Sequence, residues 1–198
     1  MNRTVLGVDL AGVSHRPSGI CLLRGLKAET LLLYSDRKIL DYAETMGPEL
    51  VAIDAPLTLP PGRRTIADRN NSHYRTCDLE LRRRKIPFFP ITLGPMRALT
   101  ERGINLKRDL EKRGFAVAEI YPGGAQDVWK LPRARHDLER LRRGLGRLGL
   151  RGVKRTASSH ELDAATGALV GLFYLDKKAE IYGDFSSGAI LMPFPSSK

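Results

Sequence analysis

The 198-residue sequence predicts an α/β fold with a central mixed sheet and helices on both of its faces. Three short apolar runs open the chain, and the joints between them are too short for a helix, so these runs should pair as an antiparallel meander. A helical pattern and a further apolar run follow. Because a strand, crossover helix, strand order favours parallel pairing, the later strands should extend the meander in parallel.

The meander strands are bounded by turn residues. Residues 5–10, 19–24 and 29–34 are mostly apolar, and the joints between them carry Gly or Pro, which are common in tight turns. Each run has the length of a buried strand and is too short for a typical helix. We therefore expect three consecutive antiparallel strands.

One helix and one buried strand come next. A helix is predicted over residues 36–46, with Ser35 as its N-cap. Gly47, followed by proline, ends it. The apolar run at residues 50–54 is then a strand, and it should lie parallel to the first strand of the meander.

The second half of the chain alternates helices with one strand, separated by proline-rich loops at residues 55–64 and 87–95. The predicted elements are helices at residues 73–85, 96–113, 133–150 and 158–176, a strand at 115–121, and a short strand and loop at 181–195. A meander whose first strand lies beside the fourth is the ribonuclease H-like arrangement. We expect one such domain over residues 1–198.

The composition indicates a globular protein. Hydrophobic residues make up 42% of the chain, which is enough for a full core at this length. No apolar run is long enough to span a membrane and the N-terminus lacks a signal-peptide pattern, so we expect no membrane association and a cytoplasmic location. Two cysteines are too few for a disulfide framework or a zinc site. We expect Cys21 in the core and Cys77 without a role on a polar helix start.

The net charge of +11 is concentrated in two segments. Residues 62–85 contain eight Lys/Arg and three Asp/Glu, and residues 133–155 contain nine and two. The rest of the chain is therefore close to neutral. Localised positive charge favours a polyanionic partner, DNA or RNA, although two solvated helical faces would have the same composition.

Two aspartates end predicted strands that should be neighbours. Asp9 closes the first strand and Asp54 closes the fourth. Parallel neighbours end at the same edge of a sheet, which would bring both carboxylates within reach of one cation. Capping of the following turn is the alternative, and it explains one aspartate more easily than two.

A predicted helix rich in small residues supplies a third acidic group. Asp163 and His160 are three positions apart and share a helix face, whereas Glu161 should point to solvent. The Ala and Gly residues that follow let the helix approach a sheet closely, which would bring Asp163 to Asp9. The alternatives are an acid placed by the helix dipole and a structural histidine instead of a ligand or proton shuttle.

This set of side chains suits two divalent cations. Carboxylates are ligands that Mg²⁺ and Mn²⁺ prefer. Two such ions about 3.5–4 Å apart can clamp one phosphate, with one activating water and the other stabilising the leaving oxygen. We expect Asp9 to be the shared ligand and Asp54 to hold one ion. Asp163 with His160 would hold the other.

Glu119 and several arginines are further candidates. Glu119 lies near the end of a later apolar strand and is either another metal ligand or the partner of an arginine. Arg75 is three positions before Asp78 on a predicted helix, so it either forms a salt bridge or holds a phosphate. The other candidates for phosphate contacts are Arg82, Arg83, Arg84, Arg142 and Arg143.

Five short motifs, taken in order, resemble those of domain-of-unknown-function family 429. They are Gly7-Val-Asp-Leu-Ala-Gly12, Ala52-Ile-Asp-Ala-Pro-Leu57, Arg75-Thr-Cys-Asp78, Glu119-Ile-Tyr-Pro122 and His160-Glu-Leu-Asp-Ala-Ala165. The similarity covers about residues 4–193. It implies a ribonuclease H-like fold and, because the family is described as predicted nucleases, a nuclease activity.

The last of these motifs is also similar to the final motif of RuvC-type junction resolvases. In those enzymes an acid or a histidine precedes the final aspartate by three positions, as His160 precedes Asp163 here. Their second acid is often glutamate, and the matching residue is Asp54. Its shorter side chain changes the geometry that the ligands would have.

Three functions are consistent with these patterns. The first is a metal-dependent nuclease on DNA or RNA, with a homodimer possible because resolvases of this fold act as dimers. The second is a nucleic-acid-binding protein that keeps the fold and has lost catalysis. The third is a nucleotide-binding phosphotransferase, suggested by residues 9–12, but that fold needs two lobes and the chain has the length of one. Metal-dependent cleavage would separate the first from the second.

Overall fold

The computed structural model describes residues 3–13 and 15–195, so residues 1, 2, 14 and 196–198 of the predicted domain lie outside the described part. In chain order the elements are β1 (Thr4–Asp9), β2 (Ser18–Arg24), β3 (Lys27–Leu33), α1 (Asp36–Met46), β4 (Leu50–Asp54), α2 (Thr76–Arg83), α3 (Gly94–Glu111), β5 (Val117–Ile120), α4 (Pro122–Val128), α5 (Leu138–Arg147), α6 (Ser159–Leu175), β6 (Ala179–Asp184) and β7 (Gly188–Pro193).

The strands form one sheet in the order β3-β2-β1-β4-β5-β7-β6. β1, β2 and β3 pair antiparallel, and β4, β5 and β7 extend them in parallel. This arrangement, with the first strand beside the fourth, confirms the predicted ribonuclease H-like fold. The tail, predicted as a short strand and loop, is instead a hairpin of β6 and β7 that completes the far edge of the sheet.

Helices cover both faces of the sheet, as predicted. α4, α5 and α6 pack on one face, where they bury alternate strand residues such as Val5 and Cys21. α1 and α3 pack on the other face, over residues such as Leu6, Val8 and Ile20. The alternation follows the two-residue period of a strand. None of the described helices is long and apolar enough to cross a bilayer.

Small residues set the distance between α6 and the sheet. A Cβ atom on Gly7 would run into the backbone of Ala164, and one on Gly19 would run into the carbonyl of His160. Only glycine allows the two backbones to come this close. The close approach predicted from the composition of this helix is therefore confirmed, and it places the start of α6 at the carboxyl end of β1.

Some local predictions differ from the structure. α5 begins at Leu138 and not at residue 133, because the side chain of Asp137 caps the helix. Pro122 begins α4, which was not predicted, because proline is favourable at the first position of a helix. Cys77 lies in the first turn of α2, as predicted, and its side chain is buried in a cluster beneath β6 and β7. Cys21 lies in the core as predicted.

Candidate active site

Asp9 and Asp54 lie side by side at one edge of the sheet. β1 and β4 pair in a parallel register that places Asp9 directly opposite Asp54, and neighbouring strands are about 4.8 Å apart. Both strands are buried up to these residues. Both carboxylates therefore lie at the carboxyl ends of their strands, at the same edge of the sheet, as the sequence predicts.

The first two turns of α6 bring the other two predicted groups to this edge. His160 Nδ1 donates a hydrogen bond to Asp9 Oδ2 at 2.6 Å. Asp163 follows three residues later and so lies on the same face of the helix. The structure thus places His160 and Asp163 beside the aspartate of β1.

A capping box determines where α6 begins. The Ser158 hydroxyl accepts from Glu161 N, and the Glu161 carboxylate accepts from Ser158 N. Glu161 also accepts from Thr30 Oγ1 on β3 at 2.8 Å. The prediction that Glu161 points to solvent is therefore wrong, because its carboxylate connects the start of the helix to the sheet.

The three aspartates repel one another in a partly buried site. Burial raises the pKa of Asp54 well above its ordinary value, and the charges of Asp9 and Asp163 add to the rise. Burial, followed by the charge of Asp9, raises the pKa of Asp163 to about 7. The hydrogen bond to Asp9 raises the pKa of His160. Among the described residues, no Lys or Arg forms a salt bridge with these aspartates.

Gln126 orients Asp163 and was not singled out from the sequence. Its Nε2 donates to Asp163 Oδ1 at 2.7 Å and to Thr166 Oγ1 at 3.2 Å. The side chain is fully buried, and its Oε1 has no hydrogen-bond partner within the described part of the chain. The residue was missed because the helix that carries it follows Pro122 and two glycines, which were interpreted as the end of a strand. The available signal is that Gln126 is the single glutamine of the sequence.

Glu119 pairs with an arginine. Arg75 donates from Nη1 to Glu119 Oε2 at 2.6 Å and from Nη2 to Oε1 at 2.9 Å, and Leu57 N also donates to Oε2. Arg75 bonds in addition to both oxygens of Asp78. We call Arg75, Asp78 and Glu119 the buried ion-pair network, since all three are almost fully enclosed. The structure therefore has the arginine pair as the alternative for Glu119 and the salt bridge as the alternative for Arg75. The roles of metal ligand for Glu119 and phosphate contact for Arg75 are corrected accordingly.

The other predicted phosphate contacts are exposed or half-buried arginines on two helices. Four of them form salt bridges close by in sequence: Arg83 and Arg84 with Glu80, and Arg142 and Arg143 with Glu139. The fifth, Arg82, lies over the ring of Tyr74. The second basic segment also extends away from the carboxylates. The backbone of Arg151 forms an isolated β-bridge with Lys27, at the end of the sheet opposite Asp9. Nucleic-acid binding by these arginines stays a prediction.

The donor groups fit a hard divalent cation. Asp9, Asp54 and Asp163 offer the carboxylate oxygens that Mg²⁺ and Mn²⁺ prefer, and a cation would relieve their repulsion. In the described ranges, no three His, Cys, Asp or Glu side chains already stand in a metal-binding arrangement.

The sequence profile of the family described as protein of unknown function (DUF429) matches residues 7–185. The chain belongs to this family. It is also similar to a solved structure of T. thermophilus RuvC in complex with a Holliday junction substrate, with 16% identity, a TM-score of 0.49, and coverage of 94% of this chain and 99% of that chain. A second Thermus thermophilus RuvC structure has 18% identity, a TM-score of 0.47, and coverage of 88% and 96%. No curated protein shows significant similarity to the chain.

A cavity of about 200 Å³ opens beside Asp54 in this DUF429 protein. Its walls include the rings of Phe88, Phe89 and Tyr121, and the buried ion-pair network also lines it. Phe88 and Phe89 belong to the proline-rich segment between α2 and α3, which the sequence analysis treated only as a loop. The cavity and the carboxylates share Asp54, so they are two parts of one surface region.

Proposed function

We propose that this DUF429 protein is a divalent-metal-dependent nuclease that hydrolyses phosphodiester bonds of DNA or RNA. The observation that carries the proposal is the position of Asp54 directly opposite Asp9, with His160 bonded to Asp9 and Asp163 one turn further on. Carboxylates brought together in a partly buried site destabilise a protein unless positive charge compensates them. A bound divalent cation supplies that compensation.

Asp9, Asp54 and Asp163 would hold Mg²⁺ or Mn²⁺. Bound ions of this kind activate water as a nucleophile and stabilise the leaving oxygen of a phosphate. His160 can hold or move a proton at Nε2, because its Nδ1 already donates to Asp9. Gln126 holds Oδ1 of Asp163 and so orients the carboxylate towards its neighbours.

The charge of the chain supports a polyanionic substrate. The net charge is +11, while the candidate site itself is acidic, so the positive charge lies outside the site and does not neutralise it. Such a distribution attracts a phosphate backbone and leaves the carboxylates free for cations. Phosphate contacts by arginines on α2 and α5 would make binding fall steeply with salt.

A nucleic-acid-binding protein without catalysis is the second candidate. It is favoured by the absence, within the described residues, of three donor side chains already arranged around a metal position. This candidate predicts binding of the same nucleic acids without metal-dependent cleavage.

Cleavage of a panel of labelled nucleic acids tests the proposal. Single strands, duplexes, junctions, DNA–RNA hybrids and structured RNA would be incubated with Mg²⁺, Mn²⁺ or EDTA. Asp9→Asn removes a carboxylate of the site, and Asp41→Asn changes an aspartate on α1 that is 51% exposed and serves as a control. Cleavage that needs metal, disappears in Asp9→Asn and persists in Asp41→Asn supports the nuclease. Cleavage that survives in Asp9→Asn or EDTA contradicts it, and binding without cleavage supports the second candidate.

A further inference from the structure

The cavity beside Asp54 has the size and lining of a site for one aromatic ring system. Its volume of about 200 Å³ lies below the roughly 300–1,000 Å³ of sites for drug-sized ligands. Phe88, Phe89 and Tyr121 present rings to it, and Met96 adds a flexible apolar side chain. A flat ring that stacks on these side chains is therefore the kind of group that the cavity can enclose.

Two arginine–aromatic pairs adjoin the cavity. Arg82 lies 5.8 Å from the ring centroid of Tyr74, and Tyr74 packs edge-to-face on Phe88 with the centroids 6.2 Å apart. Arg133 lies 5.7 Å from the ring centroid of Tyr121. Proteins that bind single-stranded nucleic acid combine cations for the phosphates with aromatic rings for the bases. The same two kinds of side chain meet at this cavity.

The polar groups that line the cavity are largely bonded to one another. The buried ion-pair network engages the guanidinium with both carboxylates, and Tyr121 OH donates to Pro87 O at 2.6 Å. Few groups remain to recognise the edge of a base by hydrogen bonds. Stacking on ring faces is then the main interaction, and every base has such a face.

We infer that the cavity receives one unpaired nucleobase of the strand whose phosphate lies at Asp9 and Asp54; the inference rests on the nuclease function proposed above. Asp54 faces Asp9 and also lines the cavity, so one nucleotide can place its phosphate at the carboxylates and its base among the rings. A base in a duplex must first unpair and unstack to enter. The substrate is therefore single-stranded or branched nucleic acid, and not a continuous duplex.

An abasic scan tests the inference. Single-stranded DNA and RNA oligonucleotides in which one abasic residue is moved along the strand keep every phosphate and lose one base. With Mg²⁺ or Mn²⁺, we expect one position near the cut at which the missing base slows cleavage by about 5- to 150-fold, the range for one base–aromatic stack. Equal rates at every position, together with equal cleavage of duplex and single strand, would overturn the inference and leave the nuclease intact.

Variants of the cavity test whether its aromatic rings cause the slower cleavage of abasic oligonucleotides. Phe88→Leu and Phe89→Leu remove a ring and keep an apolar side chain. Phe185→Leu is the control, because Phe185 is 62% exposed on the β6–β7 turn and Phe89 is 65% exposed. We expect the cavity variants to cut intact oligonucleotides more slowly and abasic ones at the wild-type rate. Metal affinity should be the same in all three variants. Full sensitivity to the missing base in both cavity variants would contradict the inference.

A binding measurement separates the inference from the nuclease proposal. In EDTA, an oligonucleotide with 2-aminopurine at the sensitive position, or at each position in turn if nothing is cut, should change fluorescence on binding, and Phe88→Leu should weaken the change. This signal without any cleavage would support the base site and contradict the nuclease. Cleavage without a fluorescence change that depends on Phe88 would support the nuclease and contradict the base site. No signal at any position would overturn the base site.

Discussion

Gln126 holds the carboxylate of Asp163 through a partly buried hydrogen bond of 2.7 Å between Nε2 and Oδ1. The amide lies on α4 and the carboxylate on α6, so the bond joins two helices beneath the candidate site. Groups that bond to a metal ligand from behind orient it and tune its affinity. The bond therefore links a residue with no direct role in the chemistry to the strength of metal binding.

Gln126→Met should weaken metal binding by about 10- to 100-fold, the usual effect of removing such a partner. Methionine keeps most of the volume and removes the donor to Asp163. Calorimetric titration with Mn²⁺ measures the change. Thr166→Val is the control, because it removes the other acceptor of the amide and spares Asp163. Equal affinity in Gln126→Met and wild type would show that the bond does not orient a ligand.

Asp163→Asn should stabilise the metal-free protein at neutral and higher pH. Burial first, and then Asp9, raises the pKa of Asp163 to about 7 in the folded protein, whereas the pKa of Asp in an unfolded chain is about 3.9. Between these two pKa values, the carboxyl group of Asp163 is protonated in the folded protein and ionised in the unfolded chain. The free energy of unfolding therefore falls as the pH rises from about 4 to about 7. Asparagine cannot ionise, so the variant lacks this decline.

Thermal unfolding in EDTA at about pH 5 and about pH 8 measures the effect. The melting temperature of Asp163→Asn should exceed that of wild type by more at the higher pH, with roughly 2–4 °C for each kcal/mol of repulsion removed. Asp41→Asn should show no such difference. An equal difference in melting temperature between Asp163→Asn and wild type at both pH values would contradict the assignment of the raised pKa to Asp163.

Arg75→Met should destabilise the protein strongly. The variant leaves the carboxylates of Asp78 and Glu119 buried without their cation, and breaking such a pair costs about 3–5 kcal/mol. Urea unfolding measures the loss. Arg83→Met is the comparison, since Arg83 is 70% exposed and its salt bridge with Glu80 should contribute less than about 1 kcal/mol. Similar losses in the two variants would contradict the role of the buried ion-pair network.

Gly19→Ala should weaken the packing of α6 on the sheet. The added methyl group would run into the backbone carbonyl of His160. Neither backbone can move easily, so we expect a loss of about 1–3 kcal/mol, as for other overpacked sites. Gly146→Ala is the matched substitution, because its new methyl group meets open space within α5 and should stabilise the helix by about 0.5–1 kcal/mol. Denaturation curves that place Gly19→Ala at or above wild type would refute the close approach.

The convergence of the aspartates was predictable because it follows from local patterns. Asp9 and Asp54 each end an apolar run, and the run, helix, run order determines that the two strands are parallel. The small residues after Asp163 predicted a helix that could approach the sheet closely. None of these steps requires knowledge of a contact between distant side chains.

The partners of the charged residues were not predictable, because tertiary packing decides them. Glu119 could face a cation or an arginine, and the sequence does not show that Arg75, 44 positions earlier, lies beside it. Gln126 was hidden for a different reason. Pro122 is as suitable at the start of a helix as after the end of a strand, so the local sequence does not separate the two structures.

The bond between Asp9 and His160 spans 151 positions of the chain. Synthesis proceeds from the N-terminus, so β1 and β4 leave the ribosome long before α6. A nascent chain that has not yet reached Ser158 carries Asp9 and Asp54 but lacks Asp163 and the helix that covers their sheet. The proposed nuclease would therefore stay inactive throughout most of its translation, and proteolytic fragments that lose the C-terminal fifth of the chain would be harmless to the nucleic acids around them.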